Sequence, residues 1–145
     1  MTTNYERAAT LTRALQAGLA ADRAAVEAAC TEDVRVWAPA LTAASRAELL
    51  DALDQRDAAF SDVELDVTPL DVGGDFACVE WTVRMTHSRP LALGGGNTLD
   101  ATGERVTLHG ATVAEFAGDR ICALRQYWDE FVVLEQLGVL AAEDV

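Results

Sequence analysis

The stretch RICALRQYWDEFVVLEQLG, from Arg120 to Gly138, decides how this chain folds. It begins with strand-like spacing, continues through an aromatic pair and an acid at Asp129, and ends in an apolar, helix-like segment. We predict the last strand over Ile121 to Trp128 and a closing helical turn over Phe131 to Leu137. The rest of the chain is expected to build a pocket against this stretch.

The composition is that of an acidic, folded chain. Its 145 residues, half of them hydrophobic, are enough for one domain over residues 1–145 with a sizeable core. The formal net charge of −13 argues against nucleic acid and anionic membrane as partners, because neutralising phosphates requires a basic patch. No apolar run approaches the roughly 18 residues that span a bilayer. The first residues lack the basic and apolar blocks of a signal peptide, so we expect a cytoplasmic chain.

Several kinds of chemistry are disfavoured by the residue types. Every basic residue is Arg, which removes Schiff-base lysine chemistry and any P-loop. Cys30, Cys78 and Cys122 are far apart in apolar contexts and show no Cys/His metal spacing. They are predicted to be buried free thiols. We expect neither a metal nor an organic cofactor.

The N-terminal part of the chain predicts three helices around one strand. The helices are predicted over Asn4 to Ala20, from a cap at Asp22 through Ala29, and from a capping box at Ser45 and Glu48 to Phe60. The strand runs through Val34 and Val36 to Trp37 and is ended by Pro39.

From Val63 onward the hydrophobic period changes to that of strands. A turn is predicted over Asp71 to Asp75, and long strands over Phe76 to His87 and Glu104 to Phe116. Between the long strands, Ser88 to Gly103 is predicted to be a loop whose glycines form a flexible lid. The order of elements predicts an α+β fold in which helices cover one face of a curved, mostly antiparallel sheet.

Three phrases in the chain resemble a known family. They are MTHSRPL at Met85 to Leu91, TGERVTLHG at Thr102 to Gly110, and GDRICALRQYWDEFVVLEQLG at Gly118 to Gly138. They are similar to the patterns GTHxGxL, TGxxVxxxG and DGxIxxHWDxxDxxxLxQLG of the SnoaL-like polyketide cyclase group, within the nuclear-transport-factor-2-like superfamily. The resemblance covers essentially the whole chain.

The resemblance implies an α+β barrel or cone, in which a strongly curved, mixed, mostly antiparallel sheet wraps around three N-terminal helices and leaves an internal cavity. Relatives use that cavity for aldol cyclisation, ketosteroid isomerisation, epoxide hydrolysis or binding without chemistry, so the fold alone does not fix the function. One hypothesis is therefore a cyclase, isomerase or hydratase acting on a hydrophobic or polyketide-like substrate. The alternative is a non-catalytic ligand-binding or dimeric interaction module.

The chain departs from the family at its acid. Where the family pattern HWD places an Asp, this chain has Gln126, which cannot transfer a proton but can hold or polarise a carbonyl or hydroxyl group. Asp129 matches the second Asp of the pattern. It is either an acid at the cavity mouth or a cap for the closing helix, and we favour the cap.

The remaining candidate residues are histidines and tryptophans. His87 shares strand parity with Trp81, which we place inward, and is the candidate base; His109 faces inward only if Gly110 marks a bulge. Each could instead be a hydrogen-bonded or exposed imidazole. The candidates for catalysis are thus His87, Gln126 and Asp129, and those for substrate binding are Trp37, Trp81, Trp128 and His109. For the tryptophans, core packing is the alternative.

A dimer is also expected. Glu80 and Arg84 share the strand face opposite Trp81, and relatives commonly dimerise through the outer face of the sheet. We therefore predict a homodimer through this face, with these two residues in an ion pair at the interface. The other expected partner is a hydrophobic small molecule.

Overall fold

A computed structural model describes residues 3–39, 41–55 and 59–139. Its elements in chain order are α1 (Asn4–Leu19), α2 (Arg23–Ala29), β1 (Cys30–Ala38), β2 (Leu41–Ala43), α3 (Arg46–Asp54), β3 (Phe60–Leu70), β4 (Phe76–His87), β5 (Leu91–Gly94), β6 (Asn97–Leu99), β7 (Arg105–Ala117), β8 (Arg120–Trp128) and α4 (Glu130–Gln136). No helix within the three described ranges is long and apolar enough to cross a bilayer.

The helices begin at the residues that the sequence predicts. Thr3, Asp22 and Ser45 each accept a hydrogen bond from a main-chain N–H of the first helical turn. The third helix is shorter than predicted, because α3 ends at Asp54 and Phe60 is already the first residue of β3, paired with His87. The predicted helical segment 56–58 lies outside the described residues.

Six strands form one mixed sheet in the order β2-β1-β8-β7-β4-β3. All neighbours are antiparallel except β1 and β8, which are parallel. The predicted mixed, mostly antiparallel sheet is therefore confirmed. Among the described residues the edge strands β2 and β3 do not pair with each other, so the sheet is open, as a curved sheet over helices can be. The three-residue strand β2 was missed by sequence reasoning.

One face of the sheet, the inner face, packs against the helices and carries the core. Alternate residues of β4 and β7 point inward, because side chains along a strand alternate between faces. Large parts of the core come from Val79, Val83, Leu108 and Phe116 of these strands, packed with Leu11, Val26, Leu49 and Leu50 of the helices. Each such side chain stabilises the fold by about 1.5–3 kcal/mol when fully buried. The opposite face is called the outer face below.

The segment predicted to be a loop over Ser88 to Gly103 contains a hairpin instead. β5 and β6 pair as a separate two-stranded sheet. Gly95 and Gly96 form its turn with φ of +61° and +81°, a conformation that glycine adopts without strain. The glycines that predicted flexibility therefore make a tight turn.

The QLG phrase at the end of the chain has a structural reason. β7 extends beyond the end of β8, and there the Gln136 side chain takes the place of a strand. Its Oε1 accepts from the Thr107 N–H at 2.9 Å, and its Nε2 donates to the Thr107 carbonyl at 2.7 Å. Leu137 is buried, and Gly138 adopts φ of +78° with the main-chain bonds of a Schellman motif. Gln136 therefore attaches α4 to β7, Leu137 packs into the protein interior, and Gly138 ends the helix.

Candidate functional site

Three polar side chains form a chain of hydrogen bonds on the inner face. Thr112 on β7 is directly opposite Gln126 on β8. The Trp81 indole Nε1 donates to Thr112 Oγ1 at 2.9 Å, and Thr112 Oγ1 donates to Gln126 Oε1 at 3.3 Å. The direction follows from the first donor, because an indole N–H can only donate and the Thr112 proton lies toward Gln126.

This series of hydrogen bonds leaves the side-chain N–H group of Gln126 unpaired. Gln126 Oε1 is occupied, whereas Gln126 Nε2 has no hydrogen-bond partner in the part of the chain that the structure describes. The Gln126 side chain is half-buried, while Thr112 and Trp81 beneath it are buried. Gln126 therefore presents a fixed, accessible N–H donor on the inner face. A carbonyl, hydroxyl or ether oxygen would satisfy it.

Two tryptophans lie beside Gln126 on the inner face, in the next row of paired residues. Trp81 and Trp128 both face inward, and their ring centroids lie 6.0 Å apart in an edge-to-face arrangement. Gly110 lies between them in register, and a Cβ atom there would lie 2.3 Å from the Trp81 ring. Glycine is therefore needed at position 110 because any side chain would clash with the Trp81 ring. The pairing of β4 with β7 continues through Gly110 without a bulge.

His87 lies at the other end of the inner face and is fully buried. The Thr102 main-chain N–H donates to His87 Nδ1 at 3.1 Å, and the Thr102 hydroxyl lies 3.0 Å from the same nitrogen. The His87 carbonyl accepts from the Gly103 N–H. The Thr86–His87 and Thr102–Gly103 pairs of the family patterns therefore contact each other. The hydrogen bonds from Thr102 fix the orientation of the His87 ring.

This contact changes the expected role of His87. A neutral ring that accepts at Nδ1 carries its proton at Nε2. Nε2 is buried without a hydrogen-bond partner among the described residues, and the Phe60 ring lies 5.5 Å from the imidazole centroid. As held here, His87 offers an N–H donor at Nε2 and not the basic nitrogen that a general base needs.

His87 and Gln126 lie far apart on the inner face, whereas the enzyme hypothesis had His87 act as the base while Gln126 placed the substrate. Val79 is level with Thr112, and through it with Gln126. His87 lies eight positions further along β4, which is about 26 Å along the strand at 3.3 Å per residue. Strand parity correctly predicts that both residues face the same side of the sheet. It does not predict how far apart they lie along the strands.

Asp129 is the N-cap of α4. Its carboxylate accepts from the Phe131 N–H at 3.0 Å and is exposed. The cap that we favoured from the sequence is therefore present, and it stabilises the helix by about 0.5–2 kcal/mol. Next to it, the Trp128 indole N–H lies 3.4 Å from a Glu130 carboxylate oxygen.

Two of the predicted substrate-binding residues lie on the outer face. Trp37 is 46% exposed and contacts the Tyr127 ring, with centroids 5.3 Å apart. His109 is exposed, and its Nδ1 lies 2.9 Å from the Thr82 hydroxyl. The bulge at Gly110 on which an inward His109 depended is absent from the β4–β7 pairing. Neither residue reaches the inner face.

The sequence analysis missed two threonines: Thr112, which holds Gln126, and Thr102, which holds His87. Thr112 has the parity of Leu108 and Phe116, so its inward position between apolar neighbours was a readable signal. Thr102 left no such signal, because it lies in a loop and acts partly through its main-chain N–H.

The titratable groups with displaced pKa values are thiols. Burial raises the pKa of Cys30 to about 11, and the nearby Arg46 opposes this only in part. Cys78 and Cys122 lie half-buried, and desolvation also raises the pKa of each. All three are free thiols, as predicted, but only Cys30 is buried. In the described ranges no cluster of His, Cys, Asp and Glu has metal-binding geometry.

The comparison with known families agrees with this fold. A profile of the SnoaL-like domain matches residues 10–124. The chain therefore belongs to the SnoaL-like domain family, within the nuclear-transport-factor-2-like superfamily, and the predicted resemblance is confirmed. The matched range ends two residues before Gln126. No curated protein sequence matches the chain significantly.

Solved structures share the fold at low sequence identity. AclR from Streptomyces galilaeus, a candidate hydroxylase, is 21% identical with a TM-score of 0.76, over 96% of this chain and 100% of that one. A candidate SnoaL-like polyketide cyclase from Jannaschia sp. CCS1 is 17% identical with a TM-score of 0.77, over 94% of both chains. An LEH-like epoxide hydrolase from M. tuberculosis is 17% identical with a TM-score of 0.67, over 92% of this chain and 90% of that one.

Proposed function

We propose that this chain is a small-molecule pocket protein that binds a hydrophobic, polyketide-like compound through a carbonyl or hydroxyl oxygen at Gln126. The observation that carries the proposal is the free Nε2 donor of Gln126, fixed by Thr112 beside two inward tryptophans. A largely apolar site with one placed polar group is the usual composition of small-molecule sites. Relatives described as polyketide cyclases suggest the ligand class.

Binding without acid–base chemistry is the function that the geometry at Gln126 supports best. The hydrogen-bonded chain of Trp81, Thr112 and Gln126 contains no group that titrates near neutral pH. Proton transfer needs such a group within hydrogen-bond reach of the substrate. An amide can still orient a substrate or stabilise an oxyanion by donating a hydrogen bond.

The test uses two probes that differ only in their oxygen: 9-fluorenone, which has a carbonyl, and fluorene, which has none. The Trp37→Phe variant leaves Trp81 and Trp128 as the only tryptophans, so fluorescence quenching reports on the inner face. Fluorenone is expected to bind about tenfold more tightly than fluorene, the effect of roughly one hydrogen bond. Gln126→Met should remove this preference, and Tyr127→Phe on the outer face should keep it. Equal affinity for the two probes in the Trp37→Phe background would overturn the proposal.

A second candidate function is catalysis of the cyclase, isomerase or hydratase type at His87. The observation in its favour is the fully buried Nε2 without a partner, which is an N–H donor aimed away from water. The test is conversion of a β,γ-unsaturated ketone, androst-5-ene-3,17-dione, to its conjugated isomer. Turnover by the wild type that His87→Phe abolishes and Gln126→Met retains would support this function, because phenylalanine fills the site without an N–H donor. Full turnover by His87→Phe would contradict it.

We also propose that residues 1–145 act as one cytoplasmic domain and form a homodimer through the outer face. Leu70, Cys78, Ala111 and Val113 form an exposed or half-buried apolar band across β3, β4 and β7, and a second copy would cover it. The expected Glu80–Arg84 ion pair is not part of this surface, because Arg84 pairs with Asp66 at 2.8 Å.

Sedimentation velocity tests the dimer. The wild type is expected to sediment as a dimer at micromolar concentration. Val113→Arg should give monomers, because it places a positive charge within the apolar band of each copy. Gln16→Arg on α1 makes the same kind of change away from the sheet and should leave the dimer intact. A wild-type monomer would refute this part of the proposal.

A further inference from the structure

The outer face carries a groove that the proposed function does not use. It has a volume of about 610 Å³ and follows the β2-β1-β8 side of the sheet. The side chains that define its chemistry are Arg35, Trp37, Thr42, Glu48, Glu115 and Arg125. The volume lies within the range of roughly 300–1,000 Å³ typical of small-molecule sites.

Two arginines in this groove have no carboxylate partner. Five other arginines of the described ranges form ion pairs, whereas Arg35 and Arg125 form none there. Three further arginines of the described ranges, Arg13, Arg89 and Arg120, also form none, but only Arg35 and Arg125 line the same groove. Glu48, which also lines the groove, already accepts from the Ala44 N–H at 2.7 Å. The two guanidinium groups are therefore available to an external anion.

The register places the two arginines within reach of one carboxylate. Arg35 is opposite Ala123, and Arg125 is opposite Trp37, on parallel neighbouring strands. Their Cα atoms are diagonal neighbours, roughly 8 Å apart for strands spaced 4.8 Å with a rise of 3.3 Å per residue. Arginine binds carboxylates through paired N–H donors, and two such groups can hold one anion from both sides.

The same groove has an aromatic wall and a second acid, Glu115. Trp37 is 46% exposed, is directly opposite Arg125, and is supported from the side by Tyr127. An exposed indole braced by a second ring is a stacking surface for a flat ligand. Glu115 has no ion-pair partner in the described ranges and can accept a hydrogen bond from a ligand hydroxyl.

We infer that this groove is a second small-molecule site, specific for a hydroxylated aromatic carboxylate. The carboxylate lies between Arg35 and Arg125, the ring stacks on Trp37, and the hydroxyl donates to Glu115. The site is on the opposite face of the sheet from Gln126 and does not depend on the proposed function there. The groove borders the apolar band over β3, β4 and β7, because Arg125 is directly opposite Val113 on the outer face. Arg35 and Trp37 lie one strand further from that band.

Isothermal titration with three probes tests the inference: 3-hydroxy-2-naphthoate, 2-naphthoate and neutral 2-naphthamide. We expect affinity to fall in that order, with about tenfold between naphthoate and naphthamide, as for the loss of a charge-assisted hydrogen bond. Raising the ionic strength should weaken binding of the two acids and not of the amide. Equal affinity for naphthoate and naphthamide would overturn the inference.

Matched variants locate the site. Arg125→Met and, independently, Arg35→Met should each weaken naphthoate binding about tenfold or more. Arg13→Met removes one positive charge on α1 and should have no effect. If Arg13→Met weakens binding as much as the groove variants, only general charge attraction is present and the inference fails. It also fails if naphthoate dissociates a dimer, which would identify the groove as a contact between copies.

Failure here is distinguishable from failure of the proposed function. Gln126→Met should leave naphthoate binding unchanged, and Arg125→Met should leave the preference for fluorenone over fluorene unchanged. Naphthoate and fluorenone should bind without competition. Competition between them would show one shared site and would contradict the second-site inference.

Discussion

The two ends of the inner face differ in what each can offer a ligand. At one end Gln126 is half-buried, held by Thr112 and close to two tryptophans, and it has a free donor but no group that exchanges protons. At the other end His87 carries an imidazole but is fully buried, and Thr102 occupies its Nδ1. Access and proton chemistry are thus separated along the strand.

This difference determines whether the chain can carry out the acid–base catalysis expected from its family. A general acid or base must reach the substrate and change protonation state during the reaction. Neither end meets both conditions as the chain is folded here. The difference between the two ends therefore favours ligand binding at Gln126 over catalysis at His87. The experiments that follow test this difference.

The largest effect is expected from Gly110→Ala, which attacks the Gln126 end. The added Cβ would lie 2.3–2.4 Å from two Trp81 ring atoms and 2.7 Å from the Tyr127 carbonyl oxygen. The ring and the β8 backbone would both have to move, which should lower the free energy of unfolding by about 3 kcal/mol or more. Urea denaturation measures the change.

Gly18→Ala is the matched control for this prediction. A Cβ at Gly18 meets no atom within 4 Å, and the residue lies in the last turn of α1. Alanine there should raise stability by roughly 0.5–1 kcal/mol. If Gly110→Ala were as stable as the wild type, the Trp81 ring would not lie over β7, and the donor at Gln126 would lose its support.

A smaller effect is expected when the two threonines are compared. Thr112→Val leaves the buried Trp81 indole N–H without an acceptor, which should cost about 1–3 kcal/mol. Thr102→Val keeps the main-chain bond to His87 Nδ1 and removes only a hydroxyl on an exposed residue, so it should cost less than about 1 kcal/mol. A larger loss for Thr102→Val in the same urea experiment would reverse the contrast between the two ends.

The sequence predicted the faces of the sheet well, because side chains alternate with a period of two along a strand. Trp81, Gln126 and Trp128 lie on the inner face by parity, as predicted. The order of elements and the family phrases also predicted the mixed sheet and its helices. These features depend on local spacing, which a sequence shows directly.

The level of a residue along the sheet could not be predicted in the same way. His87 and Gln126 share a face, but the pairing of β4 with β7 and of β7 with β8 sets them far apart. That pairing joins residues distant in sequence, which spacing alone does not encode. Trp37 is a different case, because its parity is opposite to that of the buried Val34 and Val36 and already indicated the outer face. Only its contact with Tyr127 depends on the parallel pairing of β1 and β8.

The smallest perturbation is chemical and leaves the fold intact. The chain has two histidines, one fully buried at His87 and one exposed at His109. Diethyl pyrocarbonate should therefore modify His109 rapidly and His87 only at the rate of local opening. The His109→Gln variant isolates the slow site, and the modification rate is read by mass spectrometry.

The same variant allows the tautomer of His87 to be measured. Because the Thr102 N–H donates to Nδ1, the nitrogen NMR shifts of the remaining imidazole should be those of an Nε2–H ring. Rapid modification of His87, or a ring protonated at Nδ1, would show that this end is open and able to accept a proton at Nε2. In that case the contrast with Gln126 would disappear, and catalysis at His87 would become the better account of the family's chemistry in this chain.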